Sequence, residues 1–169
     1  MSIPERIKPQ ALSDYLEIMS KAVFQAGVSW KLIDNKWDAF REVFHGFDPV
    51  RVSAFTAADV ERLMADERIL RSRKKIEGTI KNATAIIELD KEFGSFDKYL
   101  RSKSEYKRLA ADMRKRFKFM GDLNVYYFLF RIEQPVPNFE EWLTTIEGDH
   151  PRMREMVDLA RETDPEAGT

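Results

Sequence analysis

Residues 12–30 read LSDYLEIMSKAVFQAGVSW, and the spacing within them decides the fold class. Leu12, Tyr15, Leu16, Met19, Ala22, Val23 and Ala26 recur at intervals of three and four, which is one face of a helix with a period near 3.6. The run stops at Gly27, the residue type that most easily takes the left-handed conformation beyond a helix C-terminus. Ser29 then offers an oxygen to start a second helix, whose apolar set Leu32, Ile33, Trp37, Phe40, Val43 and Phe44 runs to Gly46. Two apolar helices are thus joined by a short turn with an aliphatic side chain, Val28, at its tip.

The same periodicity continues on the C-terminal side. Asp48-Pro49 opens a short helical turn ending near Phe55, and Thr56 with Asp59 forms a capping box for a helix over 57–65. DERILRSRKK at 66–75 is a polar connection into a longer helix carrying Ile76, Ile80, Ala83, Ile86 and Ile87 and ending at Phe93-Gly94. Ser95 and Ser104 read as N-caps of helices over 96–101 and 105–117. The second of these turns Tyr106, Leu109, Ala110, Met113 and Phe117 inward and a basic face outward. Phe117 to Gly121, FKFMG, makes a tight connection into VYYFLF at 125–130, which reads as a helix buried on nearly all sides. Pro135 and Pro137 break the chain before acidic amphipathic helices near 139–146 and 151–163. Strand alternation is nowhere sustained and no solenoid-length repeat occurs. The expectation is an all-α fold, a single globular helical domain over 1–169, with 11–163 as its ordered core and 1–10 and 164–169 flexible.

The chain has 169 residues, enough for one core, and its 28 basic and 29 acidic residues nearly cancel. That near-neutrality hides a polarity. The interval 98–118 has nine basic residues against two acidic, a net of +7, and 67–75 has a net of +4, whereas 138–169 has a net of −6. Two basic segments, each leading into a turn, suit a helical protein that straddles phosphates; the alternative is that long Lys and Arg side chains only solvate helix faces. Cysteine is absent, which excludes disulfides and thiolate metal sites, and His45 and His150 are too few for a histidine cage. The opening MSIPERIKPQ lacks the apolar run of a secretory leader, and no stretch approaches the ~20 apolar residues that span a bilayer. A cytoplasmic protein with no membrane partner is expected.

The turn FQAGVSW at 24–30 resembles that of the DNA-3-methyladenine glycosylase I family, a branch of the helix-hairpin-helix glycosylases, in which it reads Gln-Ala-Gly-Leu-Ser-Trp. The likeness continues through 37–86, with its FDP, its Asp-Val-Glu helix, the Ile-x-Arg-x-Arg-x-Lys-Ile run at 69–76 and an Asn-Ala pair. It resumes at RFKFMG, 116–121, where the family has Gly-Phe-Lys-Phe-Val-Gly, and covers roughly 25–130 in all. The resemblance implies flipping of an alkylated purine such as 3-methyladenine out of double-stranded DNA and hydrolysis of its N-glycosidic bond, without a cofactor. In that reading Gly27 and Val28 form the plug that fills the gap left by the flipped nucleotide. Trp30, with Gln25 and Phe119, lines the base pocket, where a π face favours a cationic base. Arg116, Lys118, Met120 and Gly121 belong to a hairpin whose backbone amides hold a DNA phosphate, and Arg71, Arg73 and Lys74 add a second basic contact. Trp30 reads alternatively as a core residue anchoring its helix, and the hairpin as an ordinary turn between helices.

This sequence also departs from the family pattern. The glutamate that stands three residues before the plug glutamine is Ala22 here, and no counterpart exists for the two cysteines and two histidines that bind zinc, so no metal is expected. Only about ten residues precede the first helix, so Tyr15 reads as core rather than as the family's pocket tyrosine. Related branches place a catalytic aspartate after the hairpin, and the nearest candidates are Asn138 and Glu133. Asp122 beside the hairpin either repels a phosphate or caps the following helix. An enzyme with such a site is restricted to labile alkylated purines, whose base is already a cationic leaving group. The leading reading is therefore a monomeric base-excision glycosylase, nucleoid-associated when acting on DNA. Its alternatives are a non-catalytic module that senses distorted duplex, and a structural or protein-interaction helical domain.

Overall fold

Helix α1 (Leu12–Gln25) begins where the Asp14 carboxylate accepts from the N–H groups of Gln10 and Ala11, at 2.7 and 3.2 Å, closing two of the donors a helix start leaves open. The computed structural model describes residues 6–146; residues 1–5, the expected helix near 151–163, His150 and the tail 164–169 lie outside them. After α1 follow α2 (Trp30–Val43), a 3-10 turn at His45–Phe47, α3 (Pro49–Ser53), α4 (Ala57–Met64), α5 (Arg73–Phe93), α6 (Phe96–Leu100), α7 (Tyr106–Arg116), α8 (Asp122–Arg131) and α9 (Phe139–Leu143). No strand occurs among the described residues.

The core sits around α1 and α5. Helix α1 packs on α2, α5 and α8, and α5 packs on α1, α3, α4 and α6. Phe24 of α1 meets Phe40 with ring centroids 4.7 Å apart, and Trp37 stacks on Phe47 at 5.2 Å, so α1, α2 and the 3-10 turn share one aromatic column. Lys21–Asp34 at 2.7 Å and Arg41–Glu17 at 3.0 Å tie the edges of α1 and α2. Helix α8 explains the near-continuous apolar run VYYFLF, because it lies between two clusters. Val125, Phe128 and Leu129 enter the main core, and Tyr126, Tyr127 and Phe130 join Ala22, Phe139 and Trp142 on the other side. Tyr126 stacks on Trp142 at 4.3 Å and donates its hydroxyl to the Pro137 carbonyl at 2.8 Å, which seats α9 on α8.

Several expectations are corrected. Residues 6–10 fall in the stretch expected to be flexible, yet the Ile7 N–H donates to the Arg131 carbonyl at 2.8 Å and Arg6 Nε to the Phe130 carbonyl at 3.0 Å. The Arg131 carbonyl is one that the end of α8 leaves open, and the Phe130 carbonyl accepts from the Glu133 N–H as well, at 3.2 Å. Helix α5 starts at Arg73, inside the expected polar connection, because Ser72 Oγ accepts from the Lys75 N–H. Cations at a helix N-terminus oppose the macrodipole, and here they are offset: Arg73 pairs with Glu61 at 2.6 Å and Lys75 reaches carbonyls of α1. Ser104 is not an N-cap; Glu105 holds that position without a side-chain bond, since Ser104 lies one residue too early. Helix α9 stops at Leu143. The N-caps Ser29, Thr56 and Ser95 stand where expected.

Phe24→Ala removes a fully buried ring at the junction of three elements. It is expected to cost about 3–5 kcal/mol and to lower the urea midpoint accordingly, while Val50→Ala, at a side chain 65% exposed, stays within about 0.5 kcal/mol of the unaltered protein.

Candidate nucleic-acid interface

The turn between α1 and α2 is held by its own backbone. The Val28 N–H donates to the Gln25 carbonyl at 3.2 Å, and Gly27 takes φ +77°, a conformation that costs glycine no Cβ clash. Val28 is half-buried and packs on the main core, so only part of it is presented outward. Gln25, 3% exposed, has its Oε1 without a hydrogen-bond partner. Trp30, the first residue of α2, is half-buried and meets the ring of Tyr127 in α8 edge to face, with centroids 5.3 Å apart. Burial pushes the Tyr127 hydroxyl above the usual tyrosine value, and the Arg131 guanidinium, 5.4 Å from its ring, works against that rise. Ala22 is 3% exposed and shares this aromatic cluster. A methyl group therefore sits in the cluster where the family pattern has a carboxylate.

The second element is the connection between α7 and α8. Phe117 and Met120 are buried, Lys118 and Phe119 are exposed, and Gly121 occupies the N-cap position of α8. Asn82 of α5 grips Lys118 from both sides: its Nδ2 donates to the Lys118 carbonyl at 3.1 Å and its Oδ1 accepts from the Lys118 N–H at 2.7 Å. Phe119 takes φ +59°, and its carbonyl accepts from Asn124 Nδ2 at 2.7 Å. The N–H groups of Phe119, Met120 and Gly121 have no acceptor among the described residues. Unbonded amides leading into the N-terminus of a ten-residue helix form an anion-attracting array. Asp122 neither caps α8 nor stands unpaired: it is the first helical residue, and Arg114 Nη1 lies 2.9 Å from its carboxylate. That pairing offsets the charge which would repel a phosphate.

One helix joins the two elements. Lys75 of α5 donates through Nζ to the Ala26 carbonyl at 2.8 Å and to the Phe24 carbonyl at 3.4 Å, closing the end of α1, and burial holds its ammonium below the usual lysine value. One turn on, Gly78 lies under the Phe119 ring; a Cβ there would stand 2.8 Å from Cδ2. A further turn on is Asn82. The intervals of three and four place all three on one face of α5. A cleft of about 560 Å³ is lined by Ala26, by Gly121, Asp122, Leu123 and Asn124, and by Thr145 and Ile146; Gln25, Val28 and Trp30 are not among its lining residues.

The residues expected in the site are not all brought together. Phe119, 43% exposed, covers Gly78 and makes no ring contact with Trp30, so the expected trio of Trp30, Gln25 and Phe119 is divided between two elements. Arg71, Lys74 and Lys118 are exposed and carry no ion pair among the described residues, whereas Arg73 is paired with Glu61, and Arg116 with Asp112 at 2.8 Å. Met120, being buried, can offer only its backbone. Neither acid–base candidate is among the residues that line the cleft. Asn138 spends its Oδ1 on capping α9, accepting from the Glu141 N–H at 3.2 Å. Glu133 is exposed just past the C-terminal end of α8, a helix about 15 Å long at 1.5 Å per residue. Lys75, Gly78, Asn82 and Asn124 carried no role in the sequence reading, although Lys75 and Asn82 both stand in the segments that carry the family likeness.

Known proteins similar to this chain fall in one family. The family profile described as methyladenine glycosylase matches residues 9–117. The chain is 34% identical to the DNA-3-methyladenine glycosylase of Haemophilus influenzae over 89 residues, 53% of this chain and 48% of that protein. It is 46% identical to DNA-3-methyladenine glycosylase 1 of Escherichia coli over 66 residues, 39% of this chain and 35% of that one. The matches thus span half or less of these relatives. Among solved structures, 3-methyladenine DNA glycosylase I from Staphylococcus aureus superimposes with a TM-score of 0.66 at 26% identity, over 77% of this chain and 79% of that one.

Lys118→Ala is expected to weaken binding to duplex DNA of any sequence alike and to reduce the slope of log K against log salt by about one. Fluorescence anisotropy across a salt series measures this, and an unchanged slope would place the phosphate contact elsewhere.

Proposed function

The chain belongs to the methyladenine glycosylase family, and from that premise we propose that it binds double-stranded DNA, flips out an alkylated purine such as 3-methyladenine and hydrolyses its N-glycosidic bond. The observation that carries the reading is the cleft shared by the plug turn and the hairpin, lined by Ala26 and by Gly121 to Asn124. Base extrusion needs two devices at a fixed separation, one to hold the backbone and one to fill the vacated stack. The amides at 119–121 and the α8 N-terminus serve the first, reading charge and shape rather than sequence. Val28 serves the second.

The pocket chemistry follows from Trp30 and Gln25. A π face attracts a cationic base such as an N3-alkylated adenine more strongly than its neutral parent. The buried Gln25 Oε1 lacks a donor, and a purine exocyclic amine would supply one. Water attacks at C1′ as the bond to the base breaks. With the cationic base leaving as a neutral molecule, little acid catalysis is required of the protein, in keeping with Ala22 in place of a carboxylate. Neutral lesions lack that assistance and are excluded. The protein is read as a monomer acting in the cytoplasm, at the nucleoid when on DNA; no helix among the described residues is long and apolar enough to cross a membrane.

A second reading is favoured by the same Ala22, together with the absence of Glu133 and Asn138 from the cleft lining: a module that recognises distorted duplex without cleaving it. Release of free 3-methyladenine from alkylated duplex separates the two. The purified protein is expected to release it, and Trp30→Ala to do so about tenfold or more slowly, since a desolvated cation–π contact of about 2 kcal/mol corresponds to a factor of that order. Release no greater than that of the variant would establish the binding module instead. Hypoxanthine-containing duplex is expected to remain intact.

A further inference from the structure

Resting on the reading of the 117–121 hairpin as a phosphate site, we propose that Asn82 is a positioning residue of that site, and that Gly78 is its counterpart beneath Phe119. Both act on the hairpin from α5, without touching DNA. Asn82 is 1% exposed, and its carboxamide bonds both the N–H and the carbonyl of Lys118. Only a primary carboxamide presents a donor and an acceptor side by side in this way; an aspartate would set an oxygen against the Lys118 carbonyl, and a leucine of similar size would bond neither group.

The clamp fixes the peptide planes on both sides of Lys118, and the next residue is held in a left-handed conformation that a phenylalanine rarely takes. That pairing of restraints leaves the amides of Phe119, Met120 and Gly121 without internal acceptors. Released from Asn82, Lys118 is free to seek other partners and Phe119 to relax, and the amide array loses its shape. Gly78 completes the device. A glycine inside a 21-residue helix weakens it relative to alanine, so its presence calls for a steric reason. The reason is the Phe119 ring, which lies so close that any Cβ would force it to move.

The test uses the full-length protein and a duplex oligonucleotide, at a temperature well below the unfolding midpoint of every variant. Asn82→Ala is expected to lower DNA affinity at least tenfold, to flatten the salt slope by about one and to abolish hydrogen-exchange protection of the Lys118 amide. Gly78→Ala leaves both Asn82 bonds in place and favours the helix, yet is expected to weaken DNA binding. Placed on a Phe119→Ala background, it should add nothing, because the ring it displaces is gone. A purely structural role would lower thermal stability and leave affinity and slope untouched. Should Asn82→Ala fail to fold, Asn82→Asp takes its place, keeping an acceptor for the Lys118 N–H and losing the donor to the Lys118 carbonyl; it too is expected to lower DNA affinity, and Gly78→Ala tests the Phe119 support alone. Wild-type affinity and slope in the folded variants would overturn the proposal. An absence of salt-dependent DNA binding by the unaltered protein would overturn both it and the phosphate reading beneath it.

Discussion

Burying a carboxamide is costly unless both its oxygen and its nitrogen find partners, since an orphaned donor or acceptor costs about 1–3 kcal/mol. Asn82 meets that condition with a single residue 36 positions away in sequence, and much of the molecule's exposed geometry depends on the bargain. Because α5 packs on α1, α3, α4 and α6, it is a central element of the fold, and whatever it grips is tied to the core. It grips twice, through Lys75 at the end of α1 and through Asn82 at the hairpin. The two loops facing the shared cleft therefore keep their separation because a core helix measures it out.

Most of the helices were legible because apolar spacing is a local property that packing only reinforces. Boundaries were legible where a side chain makes the cap, as at Ser29, Thr56 and Ser95. They were misread where tertiary contacts supply the compensation: three cations in the first turn of α5 look like a loop until Glu61 and the α1 carbonyls are placed beside them. The site was legible in the same partial way. The plug turn and hairpin are contiguous motifs, so their residues could be named. Phe119 was assigned to the wrong surface because its neighbour, Gly78, is more than forty positions earlier and reads only as an interruption in a helix. Asn138 and Glu133 were chosen by position after the hairpin; Asn138 instead caps α9, Glu133 follows the C-terminal end of α8, and neither lines the cleft.

Charge tells a similar story. The basic segment over 98–118 is not a uniform field, for its arginines are largely engaged: Arg101 with Asp97, Arg114 with Asp122 and Arg116 with Asp112. The lysines keep their charge for an outside partner. Exposed ion pairs of this kind contribute little to stability, and their effect here is to orient side chains and to offset Asp122 beside the amides. Inside, the replacement of a carboxylate by Ala22 is matched by aromatic bulk, with Tyr127 and Trp30 in the same cluster.

The three tryptophans fall in unequal surroundings. Trp37 is stacked within the aromatic column and Trp142 against Tyr126, while Trp30 alone is half-buried at the plug turn. Collisional quenchers should therefore act chiefly on the indole of Trp30. The protein thus carries its own optical reporter in the turn between α1 and α2, and changes there can be followed by emission without a label.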